Sequence, residues 1–338
     1  MKILNNISLK PYNSFGIEVN AKYFVDFTTT DEISKILNHV QKNNIPFLII
    51  GGGSNILFTK DFDGIVIKNN LKSIELIKED DEYYFVKAAA GEVWHHLVLY
   101  CIENNFSGIE NLSLIPGSVG AAPLQNIGAY GVELKNIFYE LEALNINSKT
   151  VETFSVDDCV FDYRESIFKT QLKNQYIILN ITIKLKKQPQ FNIEYGGIKE
   201  ELEKMNCSQL NAKAISQAVI NIRSSKLPNP AEIGNAGSFF KNPMVSESFC
   251  QELKKEFPTI PIYTSKNNQF KIAAGWLIEQ CGWMGYRKDD YGCHAKQALV
   301  LVNYGNASGK EIFNLSTAIK ESVYQKFRIE LEREVNIV

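Results

Sequence analysis

Between residues 30 and 43, TDEISKILNHVQKN, apolar side chains recur at Ile33, Ile36, Leu37 and Val40. That spacing puts them on one face of a helix, and Thr30 or Asp31 can cap its start. After Pro46 the pattern changes. FLII is the short continuous apolar run of a buried strand, and Ile56, Leu57 and Phe58, then GIVIK (64–68), follow almost at once. GGGSN at 51–55 therefore joins extended segments and does not open a helix. EYYFVKAAA (82–90) reads as strand, and 92–103 returns to helical spacing through Trp94, Leu97, Val98, Cys101 and Ile102. Strands are expected at 139–146, 151–156 and 176–186.

Past residue 186 the texture alters. KQPQFNIEYGGIK (187–199) reads as a linker or mobile loop. A helix is expected at 211–222, with Ile215, Ala218, Val219 and Ile222 inward, broken by KLPNP (226–230). Helices near 246–256, 272–281 and 308–327 and a strand at 298–303 then form a smaller lobe. There is no internal repeat.

A chain of 338 residues is long for one core, so two or three lobes are expected. With 45% hydrophobic residues, 22% charged and a net charge of −2, it has the composition of a globular protein without a basic field for nucleic acid. The N-terminus lacks the apolar stretch of a secretory signal, and no window approaches the roughly 18 apolar residues of a spanning helix. A cytoplasmic protein with no membrane partner is expected. The six cysteines are scattered without a C-x-x-C pair and read as reduced, mostly buried thiols. Of four histidines, His95 and His96 lie on an amphipathic helix as structural residues, His39 is expected to be exposed, and His294 is unassigned. No acidic cluster stands at metal spacing, so no metal is expected.

Several stretches carry candidate chemistry. The glycines of GGGSN leave backbone N–H groups to converge on anionic oxygens. The loop lacks the third glycine and helix of a dinucleotide fingerprint and the Gly-Lys-Ser/Thr of a P-loop, and a plain glycine turn between strands fits equally. LIPGSVGAAPLQNIGAYG (114–131) is almost uncharged, which suggests backbone packed against a large flat ligand such as an isoalloxazine ring; a buried structural loop is the alternative. In FDYRESIFK (161–169), Arg164 sits among Phe161, Tyr163, Ile167 and Phe168. A guanidinium in apolar company takes a fixed anionic partner: Glu165, Asp162 or a substrate carboxylate. In GNAGSFFKNP (234–243), small residues precede Ser238, as suits a backbone approaching something closely. Phe239 and Phe240 are expected to exclude water from it; an ordinary serine in a glycine-rich turn is the other reading. Near the C-terminus Glu330, Glu332 and Glu334 share one face of an extended strand, opposite Leu331, Arg333 and Val335.

Taken in order, NSFGIEVNA (13–21), GGGSN (51–55), GIENLSLIPGSVGAAPLQNIGAYGVEL (108–134), FDYRESIFK, RSSKLPNP (223–230), GNAGSFFKNP, AAGWLIEQCG (273–282) and HAKQALVLVN (294–303) cover nearly the whole chain. Together they resemble the UDP-N-acetylenolpyruvoylglucosamine reductase family, the MurB-type flavoenzymes of peptidoglycan synthesis. The resemblance implies an α+β chain: a two-lobed FAD-binding domain of the PCMH or vanillyl-alcohol-oxidase type plus a C-terminal α+β substrate-binding domain. The expected boundaries are 1–70 for the first lobe, 71–222 for the second (joined by the C-terminal strand 328–338), and 223–327 for the substrate domain.

The resemblance also implies non-covalent FAD, held by Gly51, Gly52, Gly53, Ser54, Asn55, Pro116, Gly117, Ser118, Gly120, Ala121, Ile127 and Gly128, with NADPH as hydride donor. By position, Arg164, Ser238 and Glu334 match the family's catalytic residues: Ser238 as proton donor to an enolate carbon, the other two at the substrate carboxylate. Tyr195, Lys226, Asn242, Tyr263 and Gln297 match residues that contact the sugar nucleotide, Tyr195 in a stretch like the substrate loop of the longer, type I members. Lys226, Lys241 or Lys271 is left to neutralise its diphosphate. A monomer is expected, with the sugar nucleotide and NADPH as its small-molecule partners. Another non-covalent FAD oxidoreductase of the same fold is the alternative reading. Two departures stand out. The family's end motif usually reads L-x-P-E-V-R, but here Arg333 replaces the proline and Asn336 the arginine, with Glu334 and Val335 in register. Ala121 and Ala122 stand where small polar residues are frequent, so a hydroxyl contact to the flavin is expected to be lost there while backbone contacts survive.

Overall fold

The computed structural model describes residues 2–264 and 269–338. The chain forms two compact units: residues 1–7, 21–52 and 62–225 make the first, and 8–20, 53–61 and 226–338 the second. No helix among the described residues is long and apolar enough to cross a membrane.

In the first unit, helix α1 (Thr30–Lys42) buries Ile33, Ile36, Leu37 and Val40, the stripe expected from the spacing. Its cap lies one residue earlier than expected. Thr29 Oγ1 accepts from Glu32 N–H at 3.2 Å and the Glu32 carboxylate accepts from Thr29 N–H at 3.2 Å. Such a reciprocal pair needs an acid three residues after the cap, which only Thr29 has. His39, near the end of α1, is half-buried and not exposed as expected, its ring beside Asn43. The parallel strands Asn20–Phe27, Phe62–Asn69 and Phe47–Ile50 lie side by side, with Leu4–Ser8 at one edge.

A second, antiparallel sheet runs in the order Val151–Ser155, Phe138–Asn145, Tyr176–Lys186, Tyr83–Ala89, Ile74–Glu79. Its central strand, Tyr176–Lys186, serves two cores. Ile177 and Leu179 pack with α1 and the parallel strands, while Ile181, Ile183 and Leu185 pack with helix α2 (Trp94–Glu103). Strict alternation would keep all five on one face. The register shifts where Glu142 pairs Asn180 but Ala143 pairs Ile178, and this irregularity at Leu179 reverses the faces.

Two further helices complete this stretch of chain. Helix α3 (Ile198–Lys204), which starts at the end of the 187–199 segment expected to be a loop and was not itself expected, is two turns long and buries only Ile198 and Leu202, too few apolar positions to show a period. Helix α4 (Ala212–Lys226) runs four residues past its expected end. Pro228 disfavours helix at Leu227, so the helix can continue to Lys226.

The second unit holds α5 (Glu247–Glu256), α6 (Ala274–Gln280) and α7 (Gly309–Phe327). Its main sheet orders Gly234–Ser238, Val300–Asn303, Tyr291–Cys293 and Arg287–Lys288, all antiparallel. Asn303 organises one end. Its Nδ2 donates to Phe15 O at 2.8 Å, and its Oδ1 accepts from Gly305 N–H (2.8 Å) and Ala307 N–H (3.0 Å), turning the chain into α7. The C-terminal strand Asn336–Ile337 pairs in parallel with Ile56–Leu57. The six cysteines carry free thiols. Burial raises Cys159 and Cys293 to about 12, as inert core thiols require.

Candidate flavin and substrate site

In the first unit the uncharged 114–131 segment is held by its backbone. Gly117 O accepts from Trp94 N–H at 2.9 Å, Val119 N–H donates to Glu92 O at 2.8 Å, and Gly120 N–H donates to Ala90 O at 2.9 Å. A Cβ on Gly120 would lie 2.5 Å from the Ala90 Cβ, so only glycine allows this approach. The turn at Gly51 and Gly52 packs on the same stretch. A Cβ on Gly51 would fall 2.0 Å from Ser118 Oγ, and one on Gly52 3.3 Å from Gly117 Cα. Ser118 and Gly117 thus meet Gly51 and Gly52, while Pro116 and Gly52 are exposed. Ala121 is half-buried in a 3-10 turn, Val119–Ala121. Ile127 lies in the core, its N–H bonded to Ala122 O and its carbonyl to Leu134 N–H.

Arg164 is fastened to this segment. It adopts the left-handed conformation (φ 55°), within a tight turn closed by reciprocal Asp162–Glu165 backbone bonds, and its Nη2 donates to Gly128 O at 2.7 Å. A Cβ on Gly128 would sit 3.2 Å from Arg164 Nη1, so glycine there makes room for the guanidinium. Buried Asn126 donates to Asp162 O at 3.1 Å and Ser166 Oγ to Leu124 O at 2.8 Å, closing the two loops on each other.

Tyr195 is exposed, but its loop is anchored. Asn111 Nδ2 donates to Tyr130 O (2.9 Å) and Asn192 O (2.7 Å), and Gly196 packs so tightly on the Tyr130 ring that a Cβ would lie 2.5 Å from it. His95 Nδ1 accepts from Leu114 N–H at 3.0 Å, supporting another left-handed residue. Burial, then the charges of His96 and Arg223, lower the His95 pKa.

Arg223 is the group sequence reasoning missed. Its Nε is buried and has no hydrogen-bond partner among the described residues. Burial lowers its pKa, Tyr130 opposes this, and the Arg164 charge adds to the depression. The signal was present: Arg223 stands four residues after buried Val219 and seven after buried Ser216, on the inward face of α4.

In the second unit the strand Gly234–Ser238 pairs with Val300–Asn303, but its register breaks between Asn235 and Ser238. Gly237 is left-handed (φ 68°) and its N–H donates to Asn235 Oδ1 at 2.9 Å. This bulge re-aims the chain, so Ser238 is exposed while Phe239 and Phe240 are both buried. The two rings do not screen the hydroxyl from water as expected. They pack inward, Phe239 edge-on to Phe15, and anchor the strand from behind.

The segment 332–334 lies antiparallel beside Phe239–Lys241. Glu334 N–H donates to Phe239 O and Lys241 N–H to Glu332 O, both at 2.9 Å. The edge bearing Ser238 and the one bearing Glu334 are therefore neighbours. Asn55 Nδ2 donates to Glu334 O at 3.3 Å, tying the end of GGGSN to this edge, and Ser54 is half-buried beside it in the chain. Gly53 is left-handed (φ 62°), where a Cβ would strike Tyr12 O at 1.9 Å. Lys241 Nζ pairs with Glu332 at 2.5 Å, with only 10% of the side chain exposed. Lys226 is exposed at the end of α4, and Tyr263 is exposed with Lys271 Nζ 5.9 Å from its ring centre. Asn242 Oδ1 accepts from Ala274 N–H (2.9 Å) and Gln297 Oε1 from Leu299 N–H (3.3 Å).

Comparisons with known proteins agree with this layout. A family model described as an FAD binding domain matches residues 21–153, and one described as UDP-N-acetylenolpyruvoylglucosamine reductase, C-terminal domain, matches 229–338. Enzymes named UDP-N-acetylenolpyruvoylglucosamine reductase from Amoebophilus asiaticus and Flavobacterium johnsoniae are 51% and 50% identical, over the full length of both chains in each case. The fold matches the crystal structure of the MurB enzyme from Thermus caldophilus with a TM-score of 0.70 at 22% identity, covering 100% of this chain and 99% of that one. The architecture is therefore that of an α+β, FAD-binding oxidoreductase. Within that class, the chain belongs to the UDP-N-acetylenolpyruvoylglucosamine reductase family. The residues present fit the cofactor: close backbone approaches that need glycine at 51 and 120 lie in an uncharged wall, and Arg223 Nε, without a partner among the described residues, offers a donor to an acceptor edge.

Proposed function

We propose that the chain reduces the enolpyruvyl group of UDP-N-acetylglucosamine enolpyruvate to give UDP-N-acetylmuramate, with NADPH as the source of the hydride. The relatives' name suggests the substrate, and the positions of the side chains in the family's motifs suggest their roles. Bound FAD provides the hydride-carrying chemistry between NADPH and the substrate double bond. Gly51, Gly52, Gly117, Ser118, Gly120 and Gly128 hold it largely through backbone, with Gly53, Ser54 and Asn55.

When a hydride adds to the methylene carbon, charge moves to the adjacent carbon and into its carboxylate. Arg164 holds that carboxylate, and its hold strengthens as charge develops, which lowers the barrier rather than merely tightening binding. Glu334, protonated beside the carboxylate, donates a second hydrogen bond. Ser238 Oγ–H gives its proton to the carbon, which completes the addition of one hydride and one proton across the double bond. A hydroxyl is a weak acid, but an enolate carbon is strongly basic and needs a donor on the correct face. Tyr195, Lys226, Asn242, Tyr263 and Gln297 bind the sugar nucleotide.

What carries this reading is the bulge at Gly237, which turns an exposed hydroxyl away from two core-anchored phenylalanines. Ser238→Ala tests it. Flavin bleaching by NADPH should proceed nearly unchanged, while reoxidation by the enolpyruvyl sugar nucleotide slows by about 10²–10⁴-fold, the usual contribution of a placed acid. Unchanged rates in both half-reactions would remove Ser238 from the mechanism.

A further inference from the structure

Arg333 takes no direct part in the proposed reaction, yet its side chain is among the best-anchored in the second unit. It stands between Glu332 and Glu334 on the extended segment, and alternation sends it to the opposite face. There its Nε donates to Ser316 Oγ at 2.8 Å and its Nη2 to Thr317 Oγ1 at 2.7 Å, consecutive residues of α7. Both hydroxyls donate onward to Phe313 O, at 2.6 and 3.2 Å. The guanidinium carbon also lies 4.5 Å from the centre of the Phe313 ring. One turn of α7 is thus gripped through its hydroxyls, a carbonyl and a ring. A planar fork spans two neighbouring acceptors while stacking on an aromatic face; an ammonium group does not.

The backbone of the same residue bridges Phe240, between the Glu332–Lys241 and Glu334–Phe239 bonds. Beyond it, Asn336 Nδ2 donates to Asn55 O at 2.9 Å, and Asn55 returns a bond to Glu334 O. Phe240–Arg333 is an isolated bridge, outside any regular strand, so few ladder bonds fix this edge and side chains must hold it. Arg333 and Asn336 are also the two positions at which this sequence departs from L-x-P-E-V-R.

We propose that Arg333 is a positioning residue: by fastening the 331–335 segment to α7, it sets where the Glu334 carboxyl stands and, through the shared ladder, where Ser238 stands. The inference rests on the roles given to those two residues above. Displacements of about 1 Å at a reacting group cost on the order of 10²-fold in rate, so a clamp outside the site registers in the chemistry.

The test uses full-length, FAD-loaded Arg333→Ala, Arg333→Lys, Thr317→Val and Glu334→Gln proteins, with both half-reactions followed by anaerobic stopped flow. Arg333→Ala should slow reoxidation at saturating sugar nucleotide by about 10- to 100-fold, with NADPH bleaching within about twofold of the parent. Arg333→Lys should recover little of the loss. Thr317→Val, which keeps the side-chain shape and removes one acceptor, should cost about 3- to 10-fold, and it decides the matter alone if the arginine variants do not fold. Adding Arg333→Ala to Glu334→Gln should cost little more than Glu334→Gln alone, because both remove one effect. Deuterium exchange, read with and without flavin, should accelerate at the 332–334 amides of Arg333→Ala. If Glu334→Gln slows reoxidation but Arg333→Ala and Thr317→Val do not, or if both half-reactions slow together in step with lost stability, the positioning role is wrong and Glu334 keeps its own. If Glu334→Gln reoxidises at the parent rate, the reading of Glu334 fails and takes this inference with it.

Discussion

The two units place their candidate groups with a different balance of backbone and side chain. In the first, backbone sets the uncharged wall, and the Asn111, Asn126 and Ser166 side chains tie loops to it. Segment 114–131 lies along residues 90–94 through main-chain bonds, and Leu114, Asn126, Tyr130 and Arg164 all adopt left-handed conformations that turn the chain sharply. In the second, side chains add to a few main-chain bonds such as Glu334 N–H to Phe239 O. Asn303, Asn55, Asn336 and Arg333 each bridge separate stretches of chain, and Ser238 and Glu334 ride on the edges they hold. A wall made of backbone demands small, uncharged residues and therefore shows in composition. A frame made of polar side chains uses residues that look like any surface residue until their partners are known.

Four changes would sharpen or break this contrast. The largest effect is expected from Arg164→Lys. The lysine loses the forked geometry for a carboxylate, and reoxidation by the sugar nucleotide should slow about 10²–10³-fold with flavin reduction little altered. A loss under tenfold would mean that Arg164 serves only its bond to Gly128. Next, Asn303→Ala deletes one buried donor and abandons two amides. Urea unfolding should show a loss of about 2–3 kcal/mol, and a value near zero would deny that side chains frame the second unit.

A smaller effect is expected from Gly51→Ala, whose new methyl must displace Ser118. FAD affinity should fall about tenfold, roughly 1.4 kcal/mol, and Ser118→Gly in the same chain should recover part of it. Recovery is the informative outcome, since it ties the loss to backbone approach. The smallest effect concerns His95. Its folded-state pKa lies below the ordinary 6.5, so the unfolded chain takes up the proton more readily. Its contribution is complete above about pH 6.5 and is lost as pH falls from there through the lower folded-state pKa. The unfolding midpoint of the parent should therefore drop more between pH 7 and 5.5 than that of His95→Gln, which keeps an acceptor for Leu114 N–H. Equal slopes would show that His95 binds its proton alike in the folded and unfolded chain, with no lowering of its pKa on folding.

How far these features could be read beforehand follows from the same contrast. Helices α1, α2 and α7 and the strands Tyr83–Ala89 and Tyr176–Lys186 appeared within a few residues of their expected places, because their buried faces repeat along the chain. Helix α3 did not, since two buried residues make no period. Phe239 and Phe240 were expected to shield Ser238, and only the bulge at Gly237, which depends on the partner strand Val300–Asn303, shows that they anchor it instead. Arg223 lay in plain view on an apolar helix face, but its orphaned Nε emerges only when the surrounding side chains are in place.

The sequence by itself determined the periodic elements, the small-residue wall and the family, because each is written in neighbouring residues or in motifs met in order. Only the tertiary structure decided which way Ser238 points, that Lys241 is already paired with Glu332, and that Arg333 reaches α7. Those facts depend on contacts between residues far apart in the chain. No local pattern encodes such contacts; they arise when a buried donor must find its acceptor wherever the fold has brought one.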